Sequence, residues 1–208
     1  MADLYCVKLG ETMRGIFAGK IKQYRYGEAL LVLPNRFLLQ NEQQKSAVRA
    51  VNMDYLPNEI LRANKRDRFS LLSRRSQEII IRKIIDEKKK AGQLQYLFHI
   101  AEDDSFAKIV TSFIGELSRA GTTAEEFTEA VSAWERKDGY GFKDEEIACI
   151  YNDYRKILKK NDWYDIDGLY RLATIELQNP ESIIPWKALF FSDFYQFDHL
   201  QLDFIAHI

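Results

Sequence analysis

The chain has 208 residues, 46% of them hydrophobic and 29% charged, with a formal net charge of −1 at pH 7. Such a chain is long enough to bury a sizeable core, as one domain or as a domain that carries a subdomain. No segment approaches the roughly 18 consecutive apolar residues that a membrane-spanning helix needs, so membrane insertion is not expected.

The amino terminus and the cysteines indicate the compartment. Met1 to Leu4 contains no basic segment followed by an apolar one, which argues against a secretory signal. Cys6 and Cys149 lie far apart and have no Cys or His companions at metal-ligand spacing, so neither a disulfide framework nor a zinc site is expected. These features favour a reducing cytoplasm and a chain without a bound metal.

In chain order, the first elements alternate between strand and helix. The apolar run from Leu4 to Leu9 predicts a buried strand, and the helical spacing that follows is carried by Met13, Ile16, Phe17, Ile21 and Tyr24. Ala29 to Leu33 predicts a second strand that ends at Pro34, and Phe37 to Ala50 predicts a second helix. This repeated order predicts an α/β fold with a parallel sheet, because parallel neighbours need a long return connection.

A helical subdomain without strands is predicted next, from Pro57 to Gln178. Its helices are expected at Arg75 to Lys90, Phe106 to Arg119, Ala124 to Trp134, Glu145 to Lys160 and Asp165 to Gln178, with breakers at Gly92, Gly121 and Lys137 to Gly141. Trp186 to Ser192 then predicts a third strand, and Leu200 to Ile208 a helix. We therefore expect residues 1–56 and 179–208 to share a sheet domain into which residues 57–178 are inserted.

The charged residues are unevenly distributed. Between Arg62 and Lys90, four acids stand against eleven basic residues, which are Arg62, Lys65, Arg66, Arg68, Arg74, Arg75, Arg82, Lys83, Lys88, Lys89 and Lys90. The stretch from Glu102 to Glu135 is predominantly acidic. A basic stretch that faces a phosphate backbone binds nucleic acid without regard to base sequence and loses affinity as salt rises. The alternative, a solvated helix face, is the commoner role of a charge run.

The segment Phe190 to Leu202 carries the most specific motif. An apolar strand runs into Ser192-Asp193-Phe194-Tyr195-Gln196, and the pair Leu200-Gln201 follows. The segment resembles the Walker B motif of UvrD/RecB-like helicases, in which the strand ends in Asp-Glu-x-Gln-Asp before a Leu-Gln pair. Asp193 and Gln196 keep that spacing, whereas alignment on the Leu-Gln pair puts Ser192 in the place of the metal-binding Asp. Taken without the family, Asp193 predicts a cap of the following helix.

Two further segments resemble the same helicases. Tyr164 to Leu169 is similar to their Leu-Asp-Phe-Asp-Asp-Leu sequence, with Gly168 in place of an acid, and Leu30 to Leu39 is similar to their second strand and the loop after it. In that family this loop touches single-stranded DNA, so the resemblance makes Asn35 and Arg36 candidate phosphate contacts. Roles for both residues in a turn and a helix start are an equally good interpretation.

Within these helicases, the chain resembles most closely the amino-terminal region of the AddB-type subunit of helicase-nucleases. The resemblance implies a P-loop NTPase-like (RecA-like) sheet, a role in DNA repair and recombination, and two partners: DNA and a motor helicase-nuclease subunit of the AddA type. It also implies a nuclease outside these residues, since no nuclease motif is found among them. Three strands are few for so much helix, so we expect later residues of a longer protein to complete the sheet.

The nucleotide site that the resemblance implies lacks charges that phosphoryl transfer needs. Gly10 and Gly15 keep the spacing of a phosphate-binding loop, but Ile16 and Phe17 stand where a Lys and a hydroxyl residue are required. Phe194 stands where the family carries a Glu that activates water, and a phenyl ring accepts no proton. We therefore expect a degenerate site without catalytic residues or cofactor, with ATP and Mg²⁺ left to the full complex.

Three functions remain open at this point. The first is a non-motor subunit that binds DNA through Asn35, Arg36, Arg62, Lys65, Arg66, Arg68, Arg74 and Arg75. The second is an active ATP-dependent helicase motor with an unusual site, which the missing charges disfavour. The third is a helical protein-interaction module unrelated to DNA, which would lack a parallel sheet. Aromatic residues such as Tyr151 and Trp163 either stack on bases or, more often, fill cores.

Overall fold

The computed structural model of the chain describes residues 19–20, 22–43, 49–66, 68–133 and 141–208. Five β-strands and eight α-helices lie within these residues. In chain order they are β1 (Ala29–Leu33), α1 (Arg36–Gln43), β2 (Arg49–Asn52), α2 (Leu56–Ala63), β3 (Ser70–Leu71), α3 (Arg74–Lys90), α4 (Asp104–Arg119), α5 (Ala124–Ala133), α6 (Gly141–Asn161), β4 (Trp163–Tyr164), α7 (Ile166–Leu177), β5 (Ala188–Phe191) and α8 (His199–Ala206). Short 3-10 helices occur at Met53–Tyr55 and Ile100–Glu102.

Strands β2, β1 and β5, in that order, form a parallel sheet. Leu31 of β1 is paired with Ala50 of β2 on one side and with Phe190 of β5 on the other. All five residues of β1 are buried, as is typical of a central parallel strand. The predicted α/β fold with a parallel sheet is confirmed at this level, and the chain is not a helical bundle without a sheet. The strand predicted at Leu4 to Leu9 lies outside the described residues.

The prediction of one helix from Phe37 to Ala50 is wrong at its end. Helix α1 ends at Gln43, and Arg49–Asn52 form β2. Ala50 and Val51 are 8% and 7% exposed, because pairing with β1 brings them into the sheet. The strand sequence Arg-Ala-Val-Asn has only two apolar residues, too few to stand out from a helical pattern. Helix α2 lies at the start of the predicted helical region, but no separate helix is predicted for these residues.

Helices α3 to α6 contribute to an apolar core whose buried members include Ile81, Ile85, Val110, Ile150 and Tyr154. The five helices predicted between Arg75 and Gln178 are confirmed, with described ends that differ by up to four residues. The prediction that no strand lies among them is wrong, because β3 and β4 form a parallel pair in the helical region. Two residues per strand leave no recognisable alternation in a sequence.

The described residues form two compact units. The sheet unit comprises those within residues 1–66 and 176–197, and the helical unit comprises those within residues 67–175 and 198–208. The three-stranded sheet, α1 and α2 belong to the sheet unit, whereas β3, β4, α3 to α6 and α8 belong to the helical unit. No helix of the described residues combines the length and the apolar character needed to cross a membrane.

Candidate functional site

Two loops leave the three-stranded sheet at the same edge. Strands β1 and β5 are parallel neighbours, so the segments Pro34-Asn35-Arg36 and Ser192-Asp193-Phe194 both begin at strand carboxyl ends. Ligands of open parallel sheets bind beside the carboxyl ends of the strands. The structure therefore brings the candidate residues of these two segments to one edge of the sheet unit.

Directly after β5, Asp193 adopts a left-handed backbone conformation with φ 62°. The preceding N–H, of Ser192, still donates to the Val32 carbonyl oxygen of β1 at 3.1 Å, so the chain leaves the sheet at Asp193. The Ser192 hydroxyl donates to Oδ2 of Asp193 at 2.8 Å, and the Asp193 residue is exposed. One carboxylate and one hydroxyl are a sparse oxygen set for Mg²⁺, which prefers six octahedral ligands.

The helix after this loop is capped by Asp198. Its Oδ1 accepts from the Gln201 N–H at 2.8 Å, while Oε1 of Gln201 accepts from the Asp198 N–H at 3.2 Å, which is a capping box. The interpretation of Asp193 as the helix cap is therefore wrong. The Leu200-Gln201 pair of the helicase-like motif lies in the first turn of α8.

Phe194 belongs to an aromatic cluster with Phe191 and Phe197. The rings of Phe194 and Phe197 are stacked with centroids 4.5 Å apart, and the Phe191 ring meets them edge-on at 6.1 and 6.0 Å. All three side chains are half-buried, whereas Gln196 is exposed and Tyr195 fully exposed. A phenyl ring packed in this way neither binds a metal nor accepts a proton.

On the other loop, Asn35 caps α1, because its Oδ1 accepts from the Leu38 N–H at 3.0 Å. The side chain of Arg36, the first residue of that helix, is exposed and has no hydrogen bond or ion pair within the described residues. Phe37 is 71% exposed beside it. An exposed ring next to an unpaired cation suits stacked bases and phosphates. The sequence does not single out Phe37 or Tyr195, because exposure alone distinguishes them from core aromatic residues.

The candidate cations Arg62, Lys65 and Arg66 lie at the end of α2. Lys65 has a left-handed backbone with φ 57°, and the Arg66 N–H donates to the Leu61 carbonyl oxygen at 2.8 Å, which closes the helix. The Arg66 side chain pairs with Glu176 at 3.2 Å. Arg62 and Lys65 are exposed and form no ion pair in the described part of the chain, so both are available to a ligand.

The remaining cations of the basic stretch belong to the helical unit, where most have partners. Arg74 donates to the Ser112 hydroxyl at 2.6 Å and pairs with Glu78 at 3.5 Å. The other pairs are Arg82 with the carbonyl oxygens of Ala101 and Asp103, Lys83 with Glu87, Lys88 with Asp153, and Lys89 with Glu102. Arg68 and Arg75 are exposed and unpaired among the described residues. Much of the basic stretch therefore makes contacts within the helical unit.

The helicase-like segment Tyr164 to Leu169 contains a buried carboxylate. Oδ1 of Asp165 accepts from the Gly168 N–H at 2.7 Å, and its Oδ2 accepts from the Tyr154 hydroxyl at 3.0 Å, with Nη1 of Arg155 3.5 Å away. Asp165 therefore caps α7 and connects it to α6. Burial and the negative charge of Asp165 raise the pKa of the Tyr154 hydroxyl.

Asp167, in the first turn of α7, is 7% exposed, and its carboxyl has no hydrogen bond or ion pair within the described residues. Burial raises the pKa of this carboxyl to about 7, and Asp165 contributes to the increase, whereas Arg119 opposes it. Asp167, Asp165 and Arg119 line a pocket of about 210 Å³ together with Arg74. A carboxyl group that titrates near neutral pH is unusual, and it makes the helical unit sensitive to pH.

The predicted phosphate-binding loop, with Gly10, Gly15, Ile16 and Phe17, lies outside the described residues. Its position relative to Phe194 therefore stays a prediction. Across the described residues, no group of three or more His, Cys, Asp or Glu side chains could hold a metal ion. The oxygen atoms of Ser192 and Asp193 do not by themselves fit a Mg–nucleotide complex.

Comparison with known proteins identifies the family. A family model described as "ADDB, N-terminal" matches residues 19–208, which include the sheet, the helical region and the loop after β5. No curated protein matches the chain. Because the match extends over nearly the whole length, the resemblance to the AddB amino-terminal region is confirmed, and the chain belongs to the AddB N-terminal family.

Proposed function

We propose that the chain is the amino-terminal part of a helicase-nuclease subunit for DNA double-strand-break repair, and that it binds DNA and positions its partners without hydrolysing ATP. In this proposal, the parallel sheet starts a RecA-like domain of the P-loop NTPase type, and residues 57–178 are a helical insertion. The AddB family match supports the repair context, and the β2-β1-β5 sheet supports the fold. A partner subunit of the AddA type supplies the motor.

The aromatic cluster after β5 carries the proposal. Phosphoryl transfer depends on placed charges, and in a RecA-like site the acids stand after the strand that corresponds to β5. Asp193 supplies one carboxylate there, but Phe194 is stacked on Phe197 with a centroid distance of 4.5 Å. Two stacked phenyl rings supply neither charge nor a base, so this edge suits binding and architecture better than hydrolysis.

Exposed side chains at the same edge support binding of single-stranded DNA. Arg36 offers a cation to phosphates, while Phe37 and Tyr195 offer exposed rings on which bases stack. Arg62 and Lys65 add exposed positive charge to the sheet unit. Contacts of this kind are independent of base sequence, and each phosphate contact makes the affinity more sensitive to salt.

Titration with labelled single- and double-stranded DNA at rising salt concentration tests the proposal. We expect binding at low salt that weakens steeply with salt. Arg36→Gln and Phe37→Ala are expected to weaken binding, by about three- to tenfold each. Lys187→Gln is the matched control, because Lys187 is exposed, precedes β5 at the opposite edge of the sheet, and pairs with Glu28 at 2.7 Å. Failure to bind either form of DNA at low salt would refute the DNA role.

Calorimetry with Mg-ATP tests the alternative of an active motor. We expect no measurable heat of binding, because Ile16, Phe17 and Phe194 stand where charged and hydroxyl groups are needed. Phe194→Glu is expected to leave the chain without ATPase activity, since the cation of the phosphate-binding loop is still missing. Clear affinity of the unmodified chain for Mg-ATP would overturn the degenerate site.

A further inference from the structure

The pocket of about 210 Å³ in the helical unit has buried acids and exposed cations in its lining. Asp165 and Asp167, at the start of α7, are 6% and 7% exposed, whereas Arg74 of α3 and Arg119 of α4 are exposed residues. The carboxyl of Asp167 has no hydrogen bond or ion pair within the described residues. A buried ionised carboxyl without a partner is costly, so its charge favours any rearrangement that supplies a cation.

The side chain of Arg119 is a cation that is able to move. It forms no hydrogen bond or ion pair among the residues that the structure describes. Its guanidinium lies against Gly115, one turn earlier on α4, where a β-carbon would be 3.2 Å from Nη1 and 3.8 Å from Cζ and Nη2. Gly115 also lines the pocket, so the guanidinium lies at the pocket wall. Exposed side chains of this kind change rotamer rapidly.

The other charged groups that act on Asp167 or share its pocket already have partners. They are Asp165 with the Gly168 N–H, the Tyr154 hydroxyl and Arg155, Arg171 with the Ser118 carbonyl oxygen, Asp198 with the Gln201 N–H, and Arg74 with the Ser112 hydroxyl and Glu78. Asp165 and Asp198 disfavour the ionised form of Asp167, whereas Arg119 and Arg171 favour it. Within this set of described residues, Arg119 is the cation that no partner holds in place.

The charge of Asp167 changes near neutral pH. Burial raises the pKa of its carboxyl to about 7, with Asp165 contributing to the increase and Arg119 opposing it. At lower pH the carboxyl is neutral and attracts a guanidinium only weakly. At higher pH it is a negative charge in a buried position, where an opposite charge has its strongest effect. Arg119 is therefore attracted towards Asp167 as pH rises.

We propose that Asp167 and Arg119 form a pH-sensitive switch: when Asp167 is ionised, Arg119 leaves Gly115, enters the pocket and pairs with it, and when Asp167 is protonated, Arg119 returns to Gly115. The ion pair fills part of the pocket and joins the last residue of α4 to the first turn of α7. It offsets part of the cost of a buried charge. The switch lies within the helical unit and does not depend on the proposed DNA binding.

Nuclear magnetic resonance of the two side chains tests the switch. The carboxyl carbon of Asp167 and the Nε–H group of Arg119 are followed in the full chain from about pH 5 to about pH 8.5, a range that includes a carboxyl pKa raised by burial. Asp167→Asn and Arg119→Gln assign the two signals. We expect both signals to shift with one common midpoint, because the guanidinium gains a carboxylate partner when Asp167 ionises. In Asp167→Asn, the Arg119 signal is expected to stay constant over this range.

Charge variants on α4 supply the matched comparison. Arg119→Gln is expected to raise the measured pKa of Asp167 by about 1, because the opposite charge is lost, and Arg119→Lys is expected to restore most of the parent value. Lys108→Gln removes the same charge from an exposed residue of α4 that does not line the pocket, and it is expected to leave the pKa of Asp167 unchanged. His199→Gln removes a titratable ring beside Gly121 and is expected to leave the common midpoint unchanged. Circular dichroism confirms that each variant folds.

Several outcomes would overturn the switch. An Arg119 signal that stays constant while Asp167 titrates would show that the two groups do not pair. An Asp167 carboxyl that keeps one charge state over the whole range would remove the trigger. Equal increases of the Asp167 pKa in Arg119→Gln and Lys108→Gln would show an effect of net charge alone. An Arg119 signal that still shifts in Asp167→Asn would assign the movement to another titratable group.

Discussion

The hydroxyl of Tyr154 lies 3.0 Å from Oδ2 of Asp165, and both side chains are buried. This hydrogen bond connects α6 to the cap of α7. A buried carboxylate that loses a donor keeps the full cost of its desolvation, so a hydrogen bond to it stabilises the fold more than one to a neutral acceptor. The stability of the helical unit is therefore expected to depend strongly on one phenol group.

Tyr154→Phe is expected to lower the free energy of unfolding by about 2–3 kcal/mol, because Asp165 then lacks a donor. Tyr151→Phe is the matched control, since the Tyr151 hydroxyl donates to the neutral Thr122 carbonyl oxygen at 3.2 Å from the same helix. Tyr151→Phe is expected to lower the free energy of unfolding by about 0.5–1.5 kcal/mol. Urea unfolding followed by circular dichroism measures both, and equal losses would show that the charge of Asp165 adds nothing.

The buried carboxyl of Asp167 is expected to make stability fall as pH rises. Burial, assisted by Asp165, raises its pKa from 3.8 to about 7, while Arg119 and Arg171 oppose the increase. Between these two pKa values the folded state holds a proton that the unfolded state has released. The stabilisation is therefore complete below the unfolded pKa of 3.8, and it is lost as pH rises through the folded pKa of about 7.

Asp167→Asn cannot ionise, and it is expected to be more stable than the parent chain by about 2–4 kcal/mol at pH 8. At about pH 4 the carboxyl is protonated in the folded parent, so the two proteins are expected to have nearly equal stability there. Urea unfolding at several pH values between these limits measures the difference. Parallel pH profiles for the two chains would contradict the raised pKa.

Glu146 on α6 fixes the connection between α3 and α4. Its carboxylate is 8% exposed and accepts from the N–H groups of Gln95, Tyr96 and Leu97 at 2.6, 2.9 and 2.9 Å. Glu146→Gln replaces one acceptor oxygen by a donor, and the expected loss of stability is about 2–4 kcal/mol. Hydrogen exchange is expected to accelerate at these three amides. Glu145→Gln, at an exposed neighbouring position, is expected to change neither quantity.

Gly92 and Gly121 end α3 and α4 with the same backbone, with φ 69° and 86° and a bond from the next N–H to the carbonyl oxygen of the fifth preceding residue. A side chain at Gly92 meets no atom within 4 Å, whereas one at Gly121 collides with the His199 ring. Gly92→Ala is expected to cost about 1 kcal/mol, from backbone strain alone.

Gly121→Ala is expected to cost about 2 kcal/mol, because the His199 ring must also leave its rotamer. Thermal or urea unfolding compares the two alanine variants. Adding His199→Ala to Gly121→Ala is expected to bring the cost back to that of Gly92→Ala. A cost that is unchanged in the double variant would assign the whole loss to the backbone.

Sequence patterns were sufficient for the long helices and for β1. Ala29–Leu33 agrees with its predicted bounds, and α3 begins one residue from its prediction, because a continuous apolar run and an extended helical period are strong signals. Strands β2, β3 and β4 have four residues or fewer and lack the continuous apolar run of β5, so neither a period nor a run marks them. Only pairing with a distant strand makes Arg49–Asn52 extended, and pairing cannot be read from local sequence.

For the candidate site too, the sequence predicts which residue types are present but not their tertiary contacts. The sequence identifies Phe194 as an aromatic residue at a position where a carboxylate is expected, but its stacking on Phe197 depends on the turn at Asp193. The basic residues could also be counted in the sequence, whereas the pairing of Lys88 could not be foreseen, because its partner Asp153 lies on a helix far along the chain. Burial and ion pairing decide which cations remain free for a ligand, and both are tertiary properties that the local sequence does not show.

The capping box of Asp198 and Gln201 bears on how such chains are recognised as motors. Gln201 accepts from the Asp198 N–H, so the glutamine of the Leu-Gln pair stabilises the first turn of α8. Any protein that begins a helix at this point gains from those two residues, whether or not it consumes nucleotide. In a comparison of many genomes, the Leu-Gln pair therefore indicates only a helix start. The charged residues of the nucleotide site are the ones that distinguish an active motor from a relative without ATPase activity.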